Sequence, residues 1–327
     1  MNSIKTTAMA LATAFLLGAP VVKAEISGSV EVAGSSTVYP ISTFVGEQFT
    51  KVNPSVSVNI QKIGSGGGFK QFVAGNTDAS NASRLIKAGE IKAAGENGIE
   101  FIEMLVAYDG LSIVINKSNS WATKLTVDHL KKIFAADSTA KVWSDVDPSF
   151  PDTELKLYIP AETSGTFSYF QEKVVGKGGE LRGTSVGEND NLTVSGVADN
   201  IGAIGFLGYA YYAENKGKIN AVAIQNKAGE YVAPTSAAIE SGNYNPFSRP
   251  LFVYWNVDSL KKPEVAALAE FTIDVGPIAA EAVGYVRLPD WVYDSMANRL
   301  KNKVTGSIFY DAQLNSKKGT LKELLGK

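Results

Sequence analysis

Three observations predict an α/β fold for this sequence. Strand-like and helix-like segments alternate over most of the chain, the order that builds parallel sheets covered by helices. The composition is globular, 45% hydrophobic and 20% charged, which excludes a disordered chain. At 327 residues with no cysteine, the chain is long enough for about two domains held by packing alone.

The elements follow in order. "GSVEVAG" (28–34) predicts a strand, "PISTFVGEQFTKVN" (40–53) a helix and "VSVNIQKIG" (56–64) a strand, the last by its period-two alternation. "GGFKQFVAG" (67–75) predicts a short helix, "TDASNAS" (77–83) a strand end and loop, and "KAGEIKAAGENG" (87–98) a helix. Residues 99–116, "IEFIEMLVAYDGLSIVIN", read as one long strand region. The same grammar resumes with a helix over 123–137, a strand over 154–161 and a helix over 165–176. "AIGFLGYAYYAEN" (203–215) reads as a helix after a Gly-rich turn, "NAVAIQN" (220–226) as a strand and "RPLFVYWNV" (249–257) as an apolar, aromatic strand. The tail from Pro263 to Leu300 is mainly helical. Two strand runs, 105–116 and 249–257, are placed to cross between lobes. That division gives 25–108 and 251–327 to one lobe and 109–250 to the other.

Residues 1–24 are set apart. Lys5 precedes an apolar run from Ala8 to Leu17, and Val22-Lys23-Ala24 is a small-x-small cleavage pattern. This is a secretory signal peptide, too short in its apolar run to span a bilayer, which takes about 20 residues. The expected mature chain starts at Glu25, with no N-terminal cysteine to carry a lipid, as a soluble monomer. Cleavage removes Lys5 and Lys23 and no acid, taking the net charge from −2 to −4. A nucleic-acid surface needs a basic excess, so no nucleic-acid partner is expected.

A single histidine and no cysteine remove most transition-metal sites. His129 reads as a solvent-facing residue of the 123–137 helix. "GTSVG" (183–187) matches the G-x-S-x-G nucleophile pattern, but it sits in a polar loop and the histidine precedes it. That motif requires a strand before it, a helix after it and a later histidine. No enzyme, metal or cofactor is expected.

A different pattern recurs. "GSSTVYP" (34–40) leads into a helix with Ile41, Phe44, Val45, Phe49 and Val52 on one face. "GSGGGF" (64–69) leads into Phe69, Phe72 and Val73, and "ETSGTF" (162–167) into Phe167, Phe170, Val174 and Val175. Each follows a strand and places Ser or Thr and Gly on a first turn, where backbone N–H groups have no partner inside the helix. One hydroxyl suffices for a cap. Three such starts, with the positive ends of their dipoles, suit a small anion, and glycines let the backbone come close. Ser36, Thr37, Ser65 and the Ser164-Gly165-Thr166 turn are the candidates. Arg84, beside Ser83 in the loop after a strand, offers a planar fork of donors for a tetrahedral oxyanion.

The segments "VAGSSTVYPIS", "GSGGGFKQFVAGNTDASNASR", "VAYDGLSIVIN", "SGTFSYF" and "SRPLFVYW" resemble, in order and over essentially the whole mature chain, the phosphate-binding protein of bacterial phosphate ABC importers, the PstS family. The resemblance implies a periplasmic binding protein of the type II kind, two α/β lobes joined by two hinge strands with the ligand cleft between them. It also implies inorganic phosphate as ligand and a membrane permease as partner. Carried over by position, the ligands are Thr37, the Val38 backbone, Ser65, Ser83 and Ser164-Gly165-Thr166. The chain departs from better-known members in two ways. Where they carry Arg and Asp before the Ser-Gly-Thr turn, this chain has Pro160 and Glu162, with Thr163 directly before Ser164. Ser83 stands where such members have a phosphate-binding Asp. Arg84 is then the candidate guanidinium. Asp109 is the first candidate acid and Glu162 the second, to accept the proton that hydrogen phosphate carries and sulfate lacks. Asp109 is also placed to orient Arg84. The alternatives are another tetrahedral oxyanion such as sulfate or arsenate, or a secreted matrix protein on the same fold.

Overall fold

The computed structural model describes residues 25–327 apart from positions 163, 177 and 188. The signal-peptide expectation for 1–24 therefore lies outside the described residues.

The first third follows the predicted order: β1 (Gly28–Gly34), α1 (Tyr39–Val52), β2 (Val56–Lys62), α2 (Gly64–Val73), β3 (Ala79–Ala82), α3 (Ala88–Glu96) and the long β4 (Phe101–Asn116). Next come β5 (Lys124–Leu125), α4 (Val127–Phe134), α5 (Trp143–Val146), β6 (Lys156–Ile159), α6 (Gly165–Val174), β7 (Thr184–Ser185) and α7 (Asp190–Asp199). The chain continues through β8 (Ala203–Gly208), α8 (Tyr209–Glu214), β9 (Ile219–Ala221), β10 (Ala223–Gln225), β11 (Tyr231–Val232) and α9 (Ser236–Glu240). It ends with β12 (Ser248–Asn256), α10 (Pro263–Ala282), α11 (Asp290–Lys301) and α12 (Leu321–Leu324).

Strands run in the order β2-β1-β3-β12-β4-β8-β6-β7, with β9 also on β4. The sheet is mixed rather than largely parallel. β1 is parallel to β2 and β3, and β6 to β7 and β8. The two long strands run against their neighbours: β12 is antiparallel to β3 and β4, and β4 to β8 and β9. β4 serves two sheets. Its residues Phe101 to Gly110 pair with β12, and Leu111 to Asn116 with β8 or β9. So β4 crosses as expected, but β12 does not, because all of it pairs on the first side. The return passage falls just ahead of it, where Leu111 N–H donates to Phe247 O.

Two further expectations change. Residues 203–215 are not one helix. Ala203–Leu207 are buried throughout and form β8 between β4 and β6, and only Tyr209–Glu214 are helical. A short run that is apolar on both faces fits either element by periodicity alone. The helix expected over 123–137 is confined to Val127–Phe134, because Lys124–Leu125 pair with β10. There Thr126 caps α4, its hydroxyl accepting from His129 N–H at 3.1 Å while His129 Nδ1 lies 3.4 Å from the Thr126 N–H. His129 is half-buried, near Asp147 and edge-on to Phe150, so it closes a cap rather than facing solvent.

Aromatic packing fixes the helices on the sheet. In the first half Phe69 of α2 meets Tyr254 edge-on at 4.9 Å. In the second half Phe170 of α6 stacks on Phe206 at 3.9 Å. α10 packs on α1 and β4, and α11 on β4, which returns the tail to the first half.

Candidate functional site

The two halves face each other across a cleft of about 610 Å³. Its first wall is built by the helix starts. β1 ends at Gly34 in the left-handed region (φ 144°), where a Cβ would lie 2.1 Å from Asn81 O, so only glycine fits this turn. No side chain caps α1 itself; Ser35 closes the turn ahead of it, its hydroxyl accepting from the Thr37 and Val38 N–H groups at 3.2 and 3.4 Å. Ser36 and Thr37 line the cleft, whereas the Val38 side chain is fully buried. No side-chain hydrogen bond caps α2. Ser65 instead accepts from Ser83 N–H at 3.0 Å, with the two hydroxyls 3.3 Å apart, so the second helix start and the loop after β3 are joined at the cleft wall.

Arg84 lines the cleft, but its guanidinium is engaged sideways. It donates to both carboxylate oxygens of Glu90, at 2.9 and 2.7 Å, and to Leu85 O at 3.0 Å. Glu90 also holds the first turn of α3 through Lys87 N–H. Arg84 lies over the Phe69 ring at 4.9 Å. The hydrogen bond it donates to Glu90 holds the Arg84 guanidinium above its ordinary range.

Contrary to the expectation from sequence, Asp109 orients Arg249 and not Arg84. It faces Arg249 directly across the β4–β12 ladder, and Arg249 Nε donates to Asp109 Oδ2 at 3.1 Å. Arg249 Nη2 donates to Thr37 Oγ1 at 2.9 Å. The guanidinium carbon of Arg249 lies 3.6 Å from the centre of the Tyr169 ring. Arg249 lines the cleft while Asp109 lies behind it, its side chain 7% exposed. Burial pushes the Asp109 carboxyl above the usual range, and the Arg249 charge and hydrogen bond pull it back. A buried acid stays charged only when paired in this way. Arg249 is the residue that the sequence reading missed. The one signal was its place in "SRPLFVYW", at the start of an apolar strand.

The second wall is α6. Ser164 caps it, accepting from Thr166 N–H at 3.1 Å. From α6 the cleft is lined by Ser168, Tyr169, Glu172 and Lys173. The Tyr169 hydroxyl donates to Pro246 O at 2.7 Å, and burial pushes its phenol well up. So Ser36, Thr37, Ser65, Ser83 and Arg84 come together on one wall, and Ser164 and Thr166 are not part of the lining. Glu162 is exposed and also outside it. Among the described residues Glu172 is the one acid that lines the cleft.

The other chemistry-bearing residues lie elsewhere. Ser185 is exposed in β7, its hydroxyl 3.4 Å from Gly187 N–H, and His129 is tied into the α4 cap. Among the described residues no group of three or more His, Asp and Glu is placed to hold a metal ion. No helix among them is long and apolar enough to cross a membrane.

Comparison with known proteins is consistent across three measures. A family model for the PBP superfamily domain matches residues 20–275. Protein SphX of Synechococcus elongatus is 40% identical over 294 residues, 89% of this chain and 86% of that protein. Phosphate-binding protein PstS of Staphylococcus saprophyticus is 37% identical over 274 residues, 84% of each chain. The crystal structure of a possible phosphate binding protein from Planctomyces limnophilus superposes with a TM-score of 0.82 at 44% identity, covering 85% of this chain and 99% of that one.

Proposed function

As this chain belongs to the PBP superfamily, and within it to the family of the phosphate-binding protein PstS, we propose that it is the solute-binding component of a phosphate ABC importer and holds inorganic phosphate in the cleft above Arg249. The observation that carries this is the Arg249 guanidinium, fixed on one edge by Asp109, on another by Thr37 and on one face by Tyr169. Its Nε and Nη2 groups are turned to Asp109 and Thr37, and a guanidinium carries five N–H donors in a planar fork, which leaves its Nη1 side for oxyanion oxygens. Hydroxyls of Ser36, Thr37, Ser65 and Ser83 and the N–H groups of two helix starts stand on the same wall, the kind of surface that favours an anion.

In this reading residues 25–108 and 251–327 act as one lobe and 109–250 as the other. Closure brings the Ser164-Gly165-Thr166 turn and the Val38 backbone to the anion. Arg84 stands at the rim, and Arg249 takes the part first assigned to it. The chain binds and releases its ligand without chemistry, as a monomer delivered to the periplasm after removal of 1–24, and it docks on a membrane permease. The pattern of residues 1–24 and the PstS relatives support these assignments. Calorimetric titration of phosphate-stripped residues 25–327 with phosphate, arsenate and sulfate tests the ligand. Tight phosphate binding with weak sulfate binding is expected. Equal affinity for sulfate would favour a general oxyanion binder, and no binding of any of the three would overturn the proposal.

A further inference from the structure

We propose that Tyr169 is a positioning residue of this cleft, its ring face holding the plane of the Arg249 guanidinium and tying that plane to helix α6. The inference rests on the assignment of the cleft to phosphate. Tyr169 is 2% exposed, and its ring centre lies 3.6 Å from the Arg249 guanidinium carbon, within the range for a cation against an aromatic face. Asp109 and Thr37 take two edges of the same guanidinium. A planar cation held by two edges and one face has little freedom left to rotate, so its remaining donors are presented in one plane. This pre-organisation lowers the ordering cost of binding.

The partners of Arg249 come from different parts of the fold. Thr37 belongs to the β1–α1 turn, Asp109 to β4 and Tyr169 to α6. The Tyr169 hydroxyl also donates to Pro246 O, in the segment that leads into β12. Tyr169 lies one turn beyond the Ser164-Gly165-Thr166 start of α6, so a movement of that start carries the ring with it. The ring therefore transmits the position of α6 to the guanidinium, and the hydroxyl has a separate task in holding the 245–248 passage.

The test uses residues 25–327 carrying Tyr169→Leu, Tyr169→Met and Tyr169→Phe. In the phosphate-free protein the Arg249 Nε–H resonance is identified by its loss in Arg249→Lys. An upfield ring-current position is expected in the parent and in Tyr169→Phe, and its loss in Tyr169→Leu and Tyr169→Met. By calorimetry Tyr169→Leu and Tyr169→Met should bind phosphate about tenfold more weakly, the scale of one cation–aromatic contact, and Tyr169→Phe should recover most of that affinity. A resonance unmoved by Tyr169→Leu and Tyr169→Met, or a Tyr169→Phe variant as weak as they are, would overturn the proposal. If the parent fails to bind phosphate, the assignment of the ligand falls, and the resonance still decides whether the ring sets the guanidinium. Two non-aromatic variants are used so that misfolding of one, visible in its amide spectrum, leaves the other to decide.

Discussion

At Arg249 the guanidinium gives one donor to Asp109, 140 residues away in the chain, and another to Thr37, 212 residues away. Those separations explain why Arg249 was not legible: an Arg-Pro pair opening an apolar strand shows nothing of partners so remote. Arg84 was legible because its neighbours Ser83 and the preceding strand are local, yet its charge is answered by Glu90 six residues on. We expect Arg249→Ala to weaken phosphate binding at least about a hundredfold. It removes the ligand's donors and leaves the buried Asp109 without its counter-charge, a loss of about 3–5 kcal/mol, against about 1.4 kcal/mol per decade of affinity. Arg84→Ala should cost less than about tenfold on the same scale, and the two titrations side by side decide which guanidinium meets the anion. The choice between phosphate and sulfate turns on a carboxylate. A wall of donors accepts both ions, whereas a carboxylate accepts the phosphate proton and repels sulfate. Asp109 stands behind Arg249 and Glu162 outside the cleft, which among the described residues leaves Glu172 on the lining. Glu172→Gln is therefore expected to narrow the phosphate-over-sulfate preference about tenfold, or about 1.4 kcal/mol. Asp109→Asn should weaken both anions alike by loosening Arg249. Competition titrations in which Asp109→Asn changes the preference and Glu172→Gln does not would reverse these roles.

Among the elements, the strand–turn–helix units were readable because their signals are local: an apolar face, a hydroxyl at the first turn, a glycine before it. Orientation was not readable, since a strand pattern is the same whether its neighbour runs parallel or antiparallel. The sequence reads the glycines of "GSGGGF" as close approach to a ligand, but Gly68 makes room for the sheet. A Cβ there would lie 2.5 Å from Gly34 Cα and 2.7 Å from Ala33 O, so α2 packs directly on the end of β1. Gly68→Ala should cost about 1–3 kcal/mol of stability by overpacking, read as a lower denaturant midpoint. Since α2 carries Ser65, the same variant should also weaken phosphate binding. An unchanged midpoint would mean that α2 shifts without cost. On β4, Glu103 is fully buried and ties the strand to the C-terminal segment, accepting from Ile308 N–H at 2.7 Å and from the Ser307 hydroxyl. Burial raises its carboxyl above the usual range, and these hydrogen bonds oppose the rise only in part. A raised acid is protonated in the folded state where the unfolded chain has already ionised. Its contribution to stability is therefore complete below the ordinary carboxylate pKa and is lost as pH rises through the folded one. Glu103→Gln keeps an acceptor for Ile308 and a partner for Ser307 but cannot ionise. The stability of the parent relative to Glu103→Gln should fall as pH rises through that window, and thermal melts at matched pH values giving a flat difference would refute the assignment.

For the whole molecule, the two-half architecture was legible from the order of elements, but the crossing points depend on pairing. β4 passes from one sheet to the other between Gly110 and Leu111, and the chain returns at Phe247, beside that point. Two adjacent passages make a narrow connection about which the halves can turn, as in hinge closure of binding proteins. The cleft of about 610 Å³ is far wider than one tetrahedral anion needs. The walls are unequal: Ser35, Ser36, Thr37, Ser65 and Ser83 line it from the first half and Arg249 from β12, while Ser164 and Thr166 at the start of α6 are not part of the lining. That turn can contribute only if the second half rotates inward. Under the proposal, phosphate meets more donors in the closed arrangement than in the open one, and such a difference in affinity shifts the population toward closure. Small-angle scattering on residues 25–327 should show the radius of gyration falling when phosphate is added. The fall should saturate with the calorimetric titration, because the same event is measured twice. Arg249→Ala should show no fall at the phosphate concentration that saturates the parent, since the anion is then not held long enough for α6 to reach it. A variant at the far wall, Thr166→Ala, should still bind through Arg249 but close less completely, leaving an intermediate radius. A radius that stays constant while calorimetry reports tight binding would mean that the first wall and Arg249 hold phosphate alone, and that α6 serves only to carry Tyr169.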